Sequence, residues 1–189
     1  FKKKKKIWNL YKYWKQNRIQ KAYKNSCKIA ANSTYTKELI IESLAISNSK
    51  IIVIHPGIDV YDKFIDKKTT DKIRKLISSS SPIILTLARL EERKGHIILL
   101  EAISRLLSKY PDLLYFIAGD GPFKKSIEAK VLQLGLANNV KFLGWITEPE
   151  KSVLLKNTHL FAMTPHIDNE SVEGFGMVFI DAAFHGIAT

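Results

Sequence analysis

The sequence is organised around EGFGMVFIDAAFHG, residues 173–186, where a glycine-containing turn leads into an almost wholly apolar helix. Gly174 and Gly176 let the backbone of this turn approach a ligand closely, because glycine has no Cβ. The first turn of the helix offers unpaired N–H groups and the positive end of the helix dipole, which together favour an anion such as phosphate. The stretch therefore predicts an anion site at the start of a buried helix.

Two carboxylates flank this predicted anion site. Glu173 precedes the helix, and Asp181 lies about one turn inside it, on the same face as Met177. Carboxylates in these places suit hydroxyl groups, as on a sugar or a ribose. The residues leave a second interpretation open, in which Asp181 forms an ion pair with His185 four residues later in an ordinary buried helix.

The chain before this stretch alternates strands with helices. Four apolar runs predict strands, at residues 83–88, 113–118, 140–143 and 160–163, and the segments between them predict helices, at 97–109, 124–134 and 148–156. This alternation with short loops predicts an α/β fold, a parallel sheet with helices on both faces. Because ligands of such sheets bind at the carboxyl ends of the strands, the loops there are the candidate site.

Three of those loops carry recognisable motifs. RLEERKG, residues 89–95, brings Arg89 and Lys94, which we expect on an exposed loop, although a solvated mixed-charge loop is equally common. GDGP, residues 119–122, follows the second strand, where its glycines serve either a ligand or only a tight turn. In FLGWI, residues 142–146, the tryptophan either belongs to the site or packs against its neighbours.

Taken in order, these motifs resemble the donor site of the family-4 retaining glycosyltransferases, which have the GT-B fold of two facing Rossmann-like domains. The resemblance covers roughly Ser33 to Thr189. The family usually has Glu as the second acid of the final motif, where this sequence has Asp181. The resemblance implies transfer of a hexosyl group from a nucleotide-diphosphate sugar to an unidentified glycan or lipid acceptor, with retention of configuration.

The resemblance also implies roles for individual residues. Arg89 and Lys94 would hold the donor diphosphate, Glu173 would contact the donor sugar, and Asp181 would bind the ribose hydroxyls. Other residues would surround the nucleotide: Gly119, Gly121, Gly144, Trp145, Ile146, Gly174, Phe175 and Gly176. Since two cations and the helix amides converge on the diphosphate, we expect neither a metal ion nor a cofactor.

The first third of the chain predicts a different domain. Residues 27–33 and 50–54 are expected to form strands around a helix at 34–45, and the turn at 55–59 follows. The resemblance matches five residues here to the end of the acceptor domain and the crossing to the donor domain: Ser33, Thr36, Gly57, Asp59 and Phe64. We therefore predict an acceptor-domain remnant over 1–62 and a donor domain, truncated at its end, over 63–189.

Composition limits the class of protein. With 189 residues, 46% hydrophobic and 25% charged, the chain is globular in class rather than disordered. Its net charge of +12 favours anionic partners, whether phosphorylated substrates, acidic membranes or nucleic acid, although no recognised nucleic-acid module is present. The single Cys27 excludes an internal disulfide. Without a signal peptide or an apolar run of about 20 residues, we expect a cytoplasmic protein.

The composition of residues 1–26 predicts a basic helix rich in aromatic residues. Two roles for this helix remain open. It is either an interfacial helix that binds anionic membrane or a helix whose aromatic stripe packs on the acceptor domain. The rival to an enzyme is accordingly a non-catalytic Rossmann-like module whose basic surface tethers membrane or nucleic acid. The polar loop at 165–172 is either a lid over the donor sugar or a solvated loop.

Overall fold

The computed structural model describes residues 17–58, 65–77, 81–167 and 173–189. The chain divides into two compact units, Phe1–Gly57 and Ile58–Thr189. The acceptor and donor roles expected for the two parts of the chain, with a boundary after residue 62, stay predictions. Asp59 and Phe64, both matched by resemblance, lie outside the described residues.

The first unit is a small α/β assembly. Its elements are helix α1 over residues 17–25, strand β1 (Ile29–Ala31), helix α2 (Thr34–Leu44) and strand β2 (Ile51–Val53). The two strands pair in parallel, with Ile29 opposite Ile51. Ser33 caps α2, because its hydroxyl accepts a hydrogen bond from the amide of Thr36 at 3.0 Å.

One aromatic residue of the predicted basic helix contributes to this unit's core. Tyr23 packs against the buried side chains of both strands, among them Ile29 and Ile51. This contact agrees with the packing interpretation for Tyr23. The other aromatic residues of that segment, at positions 1, 8, 11, 13 and 14, lie outside the described residues.

The second unit alternates strands and helices as the sequence predicts. Its elements are α3 (Lys67–Arg74), β3 (Ile83–Leu87), α4 (His96–Leu106), β4 (Leu114–Ala118), α5 (Lys124–Gln133), β5 (Val140–Gly144), α6 (Glu148–Lys156), β6 (Leu160–Phe161) and α7 (Met177–Phe184). The strands form one parallel sheet in the order β5-β4-β3-β6. The amide of Phe161 donates to the carbonyl of Ala188 at 2.9 Å, so pairing continues beyond β6.

Alternating side chains on the strands build a hydrophobic core on each face of this sheet. Leu85 and Phe116 belong to the core that includes residues of α6 and α7. Ile84 and Ile117 belong to the opposite core, with residues of α4 and α5. Since both faces are covered, the two central strands β3 and β4 are almost fully buried, which explains their continuous apolar runs. The predicted α/β fold with helices on both faces is confirmed.

Strand β6 is shorter than the run at 160–163 predicts. The amide of Ala162 still donates to the carbonyl of Leu85 at 2.9 Å. Its carbonyl, however, accepts from the hydroxyl of Thr86 at 2.5 Å, and that hydroxyl also lies 2.8 Å from the Tyr115 hydroxyl. A buried side chain thus replaces the next backbone hydrogen bond, and the chain leaves the sheet.

The strand order places a topological switch point between β3 and β6. From β3 the chain moves through β4 to β5 on one side, and then crosses to β6 on the other side of β3. In open α/β sheets a crevice forms where the connections diverge, at the carboxyl ends of the strands. The loops after β3 and β6 therefore border the place where a ligand is expected.

Candidate active site

Backbone contacts hold the loop after β3 against the loop after β6. Gly95 has φ +74°, and a Cβ added there would lie 2.0 Å from the carbonyl oxygen of Thr164. The Thr164 hydroxyl donates to the Gly95 carbonyl at 2.9 Å, and the amide of His166 donates to the Arg93 carbonyl at 2.9 Å. Only glycine fits at position 95, and the two loops are fixed to each other.

The loop after β4 packs against the loop after β3 in the same manner. Gly119 has φ +129°, and an added Cβ would lie 2.0 Å from the carbonyl oxygen of Ala88. At Gly121 an added Cβ would lie 2.4 Å from the carbonyl oxygen of Leu90. Both predicted nucleotide residues therefore have a packing role, and Gly119 also lines the cavity described below.

Five charged side chains meet at the switch point, and we call them the Lys94 cluster: Arg89, Glu91, Arg93, Lys94 and Glu173. The Glu173 carboxylate forms an ion pair with Lys94 and lies 3.8 Å from Nη1 of Arg93. Glu91 accepts from Nε of Arg93 at 3.0 Å and lies 3.3 Å from Nε of Arg89. Three cations and two carboxylates leave the cluster with one net positive charge.

Burial differs sharply among the cations of this cluster. The side chain of Arg89 is 66% exposed, whereas that of Lys94 is 12% exposed and that of Arg93 is 16% exposed. The expectation of an exposed loop is therefore correct for Arg89 and wrong for Lys94. Lys94 is shielded because Glu173 covers its ammonium group and the loop is held against the one after β6.

The turn before α7 places Glu173 beside the start of that helix. Gly176 caps the helix with φ +76°, and an added Cβ would lie 2.8 Å from the ring of Phe179 and 3.9 Å from Cγ of Glu173. Phe179 in turn packs edge-to-face on Phe161 of β6, with 5.3 Å between ring centroids. Gly174 and Phe175 form the bend between Glu173 and the cap.

Asp181 belongs to a second charged group, the Lys151 cluster, formed by Glu148, Lys151 and Asp181. Nζ of Lys151 lies 3.1 Å from Oδ2 of Asp181 and also pairs with Glu148. Burial acts to lower the pKa of Lys151, but the hydrogen bonds to Glu148 and Asp181 outweigh it and raise the pKa above its usual value. Two carboxylates around one ammonium leave this cluster with one net negative charge.

The interpretation that pairs the Asp181 and His185 side chains is wrong. The carboxylate of Asp181 lies against Lys151, while Nδ1 of His185 lies 2.8 Å from the backbone carbonyl oxygen of Asp181. The other ring nitrogen lies 3.3 Å from the hydroxyl of Ser152. The ion pair thus joins α7 to α6, and the histidine contacts the helix backbone instead.

A cavity of about 220 Å³ opens beside the Lys151 cluster at the carboxyl ends of β3 and β4. It is lined by Leu87, Ala88, Arg89, Ala118, Gly119, Trp145, Ile146, Glu148, Lys151 and Val178. Trp145 is 79% exposed, so the alternative in which it only packs against its neighbours is wrong. Gly144 precedes it with φ +65°, and its carbonyl accepts from the amide of Gly119 at 2.7 Å.

A buried histidine lies directly after the cationic loop. His96 is fully buried, and within the described part of the chain neither ring nitrogen has a hydrogen-bond partner. Burial, with a further contribution from the charge of Lys94, lowers the pKa of His96 to about 4. The imidazole is therefore neutral at pH 7.

The sequence motifs do not identify two residues that contribute to the candidate site, Arg93 and Lys151. Arg93 stands next to Lys94, but only the folded loop shows that its Nη1 is buried and lies 3.8 Å from Glu173. Lys151 stands three residues after Glu148 on a predicted helix, a spacing typical of an ion pair, yet its contact with Asp181 depends on how α6 meets α7.

A family model described as glycosyl transferases group 1 matches residues 67–189, more than half of the chain. The chain belongs to the group 1 glycosyl transferases.

Within the described ranges, the structure contains no group of three or more His, Cys, Asp or Glu residues arranged to hold a metal ion. Across the same ranges, no helix is long and apolar enough to span a bilayer.

Individual relatives agree with this family. The chain is 29% identical over 136 residues to the GDP-mannose-dependent alpha-(1-6)-phosphatidylinositol monomannoside mannosyltransferase of Mycolicibacterium smegmatis, covering 70% of this chain and 35% of that protein. It is 24% identical over 176 residues to mannosylfructose-phosphate synthase of Agrobacterium fabrum, covering 88% of this chain and 38% of that protein. The chain thus spans little more than a third of these relatives.

Solved structures share the fold. Anabaena Alr3699/HepE, in a crystal structure with UDP and glucose, matches with a TM-score of 0.73 and 24% identity over 88% of this chain and 44% of that one. A glycosyltransferase from Rickettsia africae matches with a TM-score of 0.73 and 23% identity over 90% of this chain and 46% of that one. The predicted Rossmann-like fold of GT-B glycosyltransferases is confirmed.

Proposed function

We propose that the chain is the donor-binding part of a retaining glycosyltransferase that transfers a hexosyl group from a nucleotide-diphosphate sugar to a glycan or lipid acceptor. The observation that carries this proposal is the meeting of the cationic Lys94 cluster with the start of α7 at the switch point of the sheet. Residues 63–189 would form the donor domain, and residues 1–62 the end of the acceptor domain. Support for the donor comes from the structural neighbour crystallised with UDP and glucose.

The Lys94 cluster suits the diphosphate and the reacting sugar. As the bond between sugar C1 and the leaving phosphate oxygen breaks, negative charge grows on the diphosphate. Arg89, Lys94 and the first amides of α7 would stabilise that charge, and losing one such preorganised donor typically costs about 3 to 4 kcal/mol. Because these groups already supply positive potential, we propose that transfer needs no metal ion and no cofactor. Glu173, at the turn before α7, would contact the sugar.

The cavity beside the Lys151 cluster suits the nucleoside. The backbone of residues 144–146 would face the base, and the Asp181 carboxylate would accept from the ribose hydroxyls. Asp is one carbon–carbon bond shorter than the Glu usual in the family, so it reaches about 1.5 Å less far. Lys151 draws Asp181 toward α6, and a water molecule would bridge the remaining distance to the ribose.

Thermal unfolding with UDP, GDP and ADP tests the donor site directly. A ligand at 100 times its dissociation constant adds about 2.7 kcal/mol of stability, so one nucleotide diphosphate should raise the melting temperature clearly. The matching nucleosides should raise it less, because they lack the charge that the Lys94 cluster binds. Stabilisation by anionic vesicles but by none of the nucleotides would favour the rival, a non-catalytic module.

Transfer itself is expected to require more than this chain. Catalysis needs the donor and the acceptor held together in one geometry, and the chain spans 35% and 38% of the two relatives named above. We therefore expect nucleotide binding without transfer. Sustained turnover of a nucleotide sugar on any glycan or lipid acceptor by the 189-residue chain would contradict this expectation.

A further inference from the structure

We propose that Arg93 is a positioning residue for Glu173, holding its carboxylate beside the donor sugar when the phosphates engage Lys94. This inference rests on the proposed function, because it assigns Lys94 to the diphosphate and Glu173 to the sugar. It adds a residue to which neither the family resemblance nor the sequence motifs give a role.

The first support is the burial and fixation of the Arg93 side chain. It is 16% exposed, Nε donates to Oε2 of Glu91 at 3.0 Å, and the Arg93 carbonyl accepts from the amide of His166 at 2.9 Å. A guanidinium held at its Nε and at its backbone points its two terminal nitrogens in a defined direction. Here one of them, Nη1, lies 3.8 Å from Oε2 of Glu173.

The second support is an unsatisfied donor. Nη1 of Arg93 is buried and, among the described residues, has no hydrogen-bond partner. Oε2 of Glu173 is 3.8 Å away, about 1 Å beyond the usual distance of a charge-assisted hydrogen bond. A buried donor without a partner is costly, so a small movement of Glu173 that completes this bond is favourable.

The third support is competition for Lys94. Its ammonium group is paired with Glu173, yet Lys94 is also the cation assigned to the diphosphate. When phosphate oxygens attract Lys94, Glu173 loses part of its partner. Arg93 then supplies the replacement hydrogen bond, so Glu173 stays directed at the sugar instead of following Lys94 toward the phosphates.

Calorimetry on the full chain separates this role from phosphate binding. Titrations would use UDP and GDP, and a panel of UDP- and GDP-hexoses, with wild type and with Arg93→Met, which keeps a long side chain without the guanidinium. We expect Arg93→Met to reduce the extra affinity conferred by the hexose about tenfold, the size of one charge-assisted hydrogen bond. Its affinity for UDP or GDP alone should change much less.

A double mutant isolates the contact with Glu173. In a Glu173→Gln background, Arg93→Met should no longer alter the contribution of the hexose. Arg93→Lys keeps the positive charge but lacks the planar guanidinium group, and it should restore part of that contribution. The lysine variant also serves as the test if Arg93→Met does not fold. Arg105→Met, at an exposed arginine of α4, is the matched control and should behave like wild type.

Several results would overturn the inference. An equal loss for nucleotide and sugar nucleotide would make Arg93 a phosphate ligand, and a loss that persists in Glu173→Gln would make it independent of that carboxylate. A wild type that binds every hexose donor like the bare nucleotide would remove the sugar contact itself. If no nucleotide binds wild type, the donor site fails, and this inference fails with it.

Discussion

Glu173 and Asp181 flank the first turn of the same helix, and each pairs with a lysine, yet their surroundings have opposite charge. Glu173 lies beside two cations of one loop, Arg93 and Lys94, in a cluster with one net positive charge. Asp181 shares one ammonium with a second carboxylate, in a cluster with one net negative charge. The sign of the charge therefore changes along the site, favouring phosphates at one end and hydroxyl or N–H donors at the other.

The largest effect is expected from removing Lys94, the most shielded cation of the positively charged cluster. Lys94→Ala should weaken UDP or GDP binding by roughly 3 to 4 kcal/mol, a few hundredfold in Kd, because it leaves Glu173 less compensated beside the phosphates. Arg89→Ala should cost about tenfold, since its side chain is 66% exposed and more strongly screened. Calorimetry with nucleotide and nucleoside checks this.

The nucleoside titration is the control for that experiment. Neither Lys94→Ala nor Arg89→Ala should change the affinity for uridine or guanosine appreciably, because both cations respond to phosphate charge. Equal losses for nucleoside and diphosphate would show that the Lys94 cluster does not bind phosphate, and the difference between the two ends of the site would disappear.

The buried histidine behind the Lys94 cluster predicts an acid-sensitive fold. The pKa of His96 is about 4 in the folded chain, whereas an ordinary histidine has a pKa of 6.5. Between these two pH values the unfolded chain therefore binds more protons than the folded chain. Stability should therefore fall as pH drops from about 6.5 to about 4, by about 3 kcal/mol in total. Urea unfolding at several pH values measures the loss.

Two histidine variants make that measurement specific. In His96→Leu this part of the pH dependence should vanish, because the buried group can no longer take up a proton. The same change at His185, which lies next to the negative end of the site, should leave the dependence in place. A pH profile of His96→Leu identical to that of wild type would contradict the assignment.

Substitutions of Asp181 test the negative end. Asp181→Asn should weaken nucleotide binding about tenfold, the value of a charged hydrogen bond, and should also lower thermal stability because Lys151 loses a partner. Asp181→Glu should retain or improve the affinity, since the longer side chain reaches further toward a ribose. The measurement is titration of one nucleotide into both variants.

His185→Ala separates binding from packing in the same series. It removes the ring that contacts the Asp181 carbonyl, so we expect a change in stability without a change in affinity. If both Asp181 variants bind nucleotide like wild type, Asp181 serves only to join α7 to α6, and the negative end has no part in recognition.

The smallest expected effect concerns metal ions. Because the Lys94 cluster already carries net positive charge, EDTA should leave the Kd of the nucleotide diphosphate unchanged, and added Mg²⁺ should not lower it. Calorimetry with and without chelator measures this. A strict requirement for Mg²⁺ or Mn²⁺ would show that the protein's cations alone do not balance the diphosphate.

The fold could be predicted from the sequence because the central strands β3 and β4 are buried on both faces and most loops between strands and helices are short. Positions such as Leu85 and Phe116 belong to runs that only a covered sheet explains. Chain order then places the motifs at one edge, where the structure brings Arg89, Lys94 and Glu173 together.

The ion pairs within the site were harder to predict from the sequence, because they depend on contacts between segments that are far apart in sequence. Nothing in RLEERKG distinguishes the two shielded cations, Arg93 and Lys94, from the exposed Arg89. The one-turn helix at Glu92–Lys94 and the contact of Gly95 with Thr164 decide which side chains are shielded. The partner of Asp181 is 30 positions earlier in the sequence, on α6, whereas the sequence pattern draws attention to His185 on the same helix.

The close backbone contacts at Gly95, Gly119 and Gly121 have a consequence for anyone who wishes to exchange donor preference between relatives. The loops after β3, β4 and β6 meet carbonyl to glycine, with no space for a side chain between them. In a chimera that receives only one of these loops, the new loop would meet neighbouring loops whose backbone does not match it at these close contacts. The unit of exchange is the set of three, residues 88–95, 119–123 and 162–167, grafted together onto an unchanged sheet.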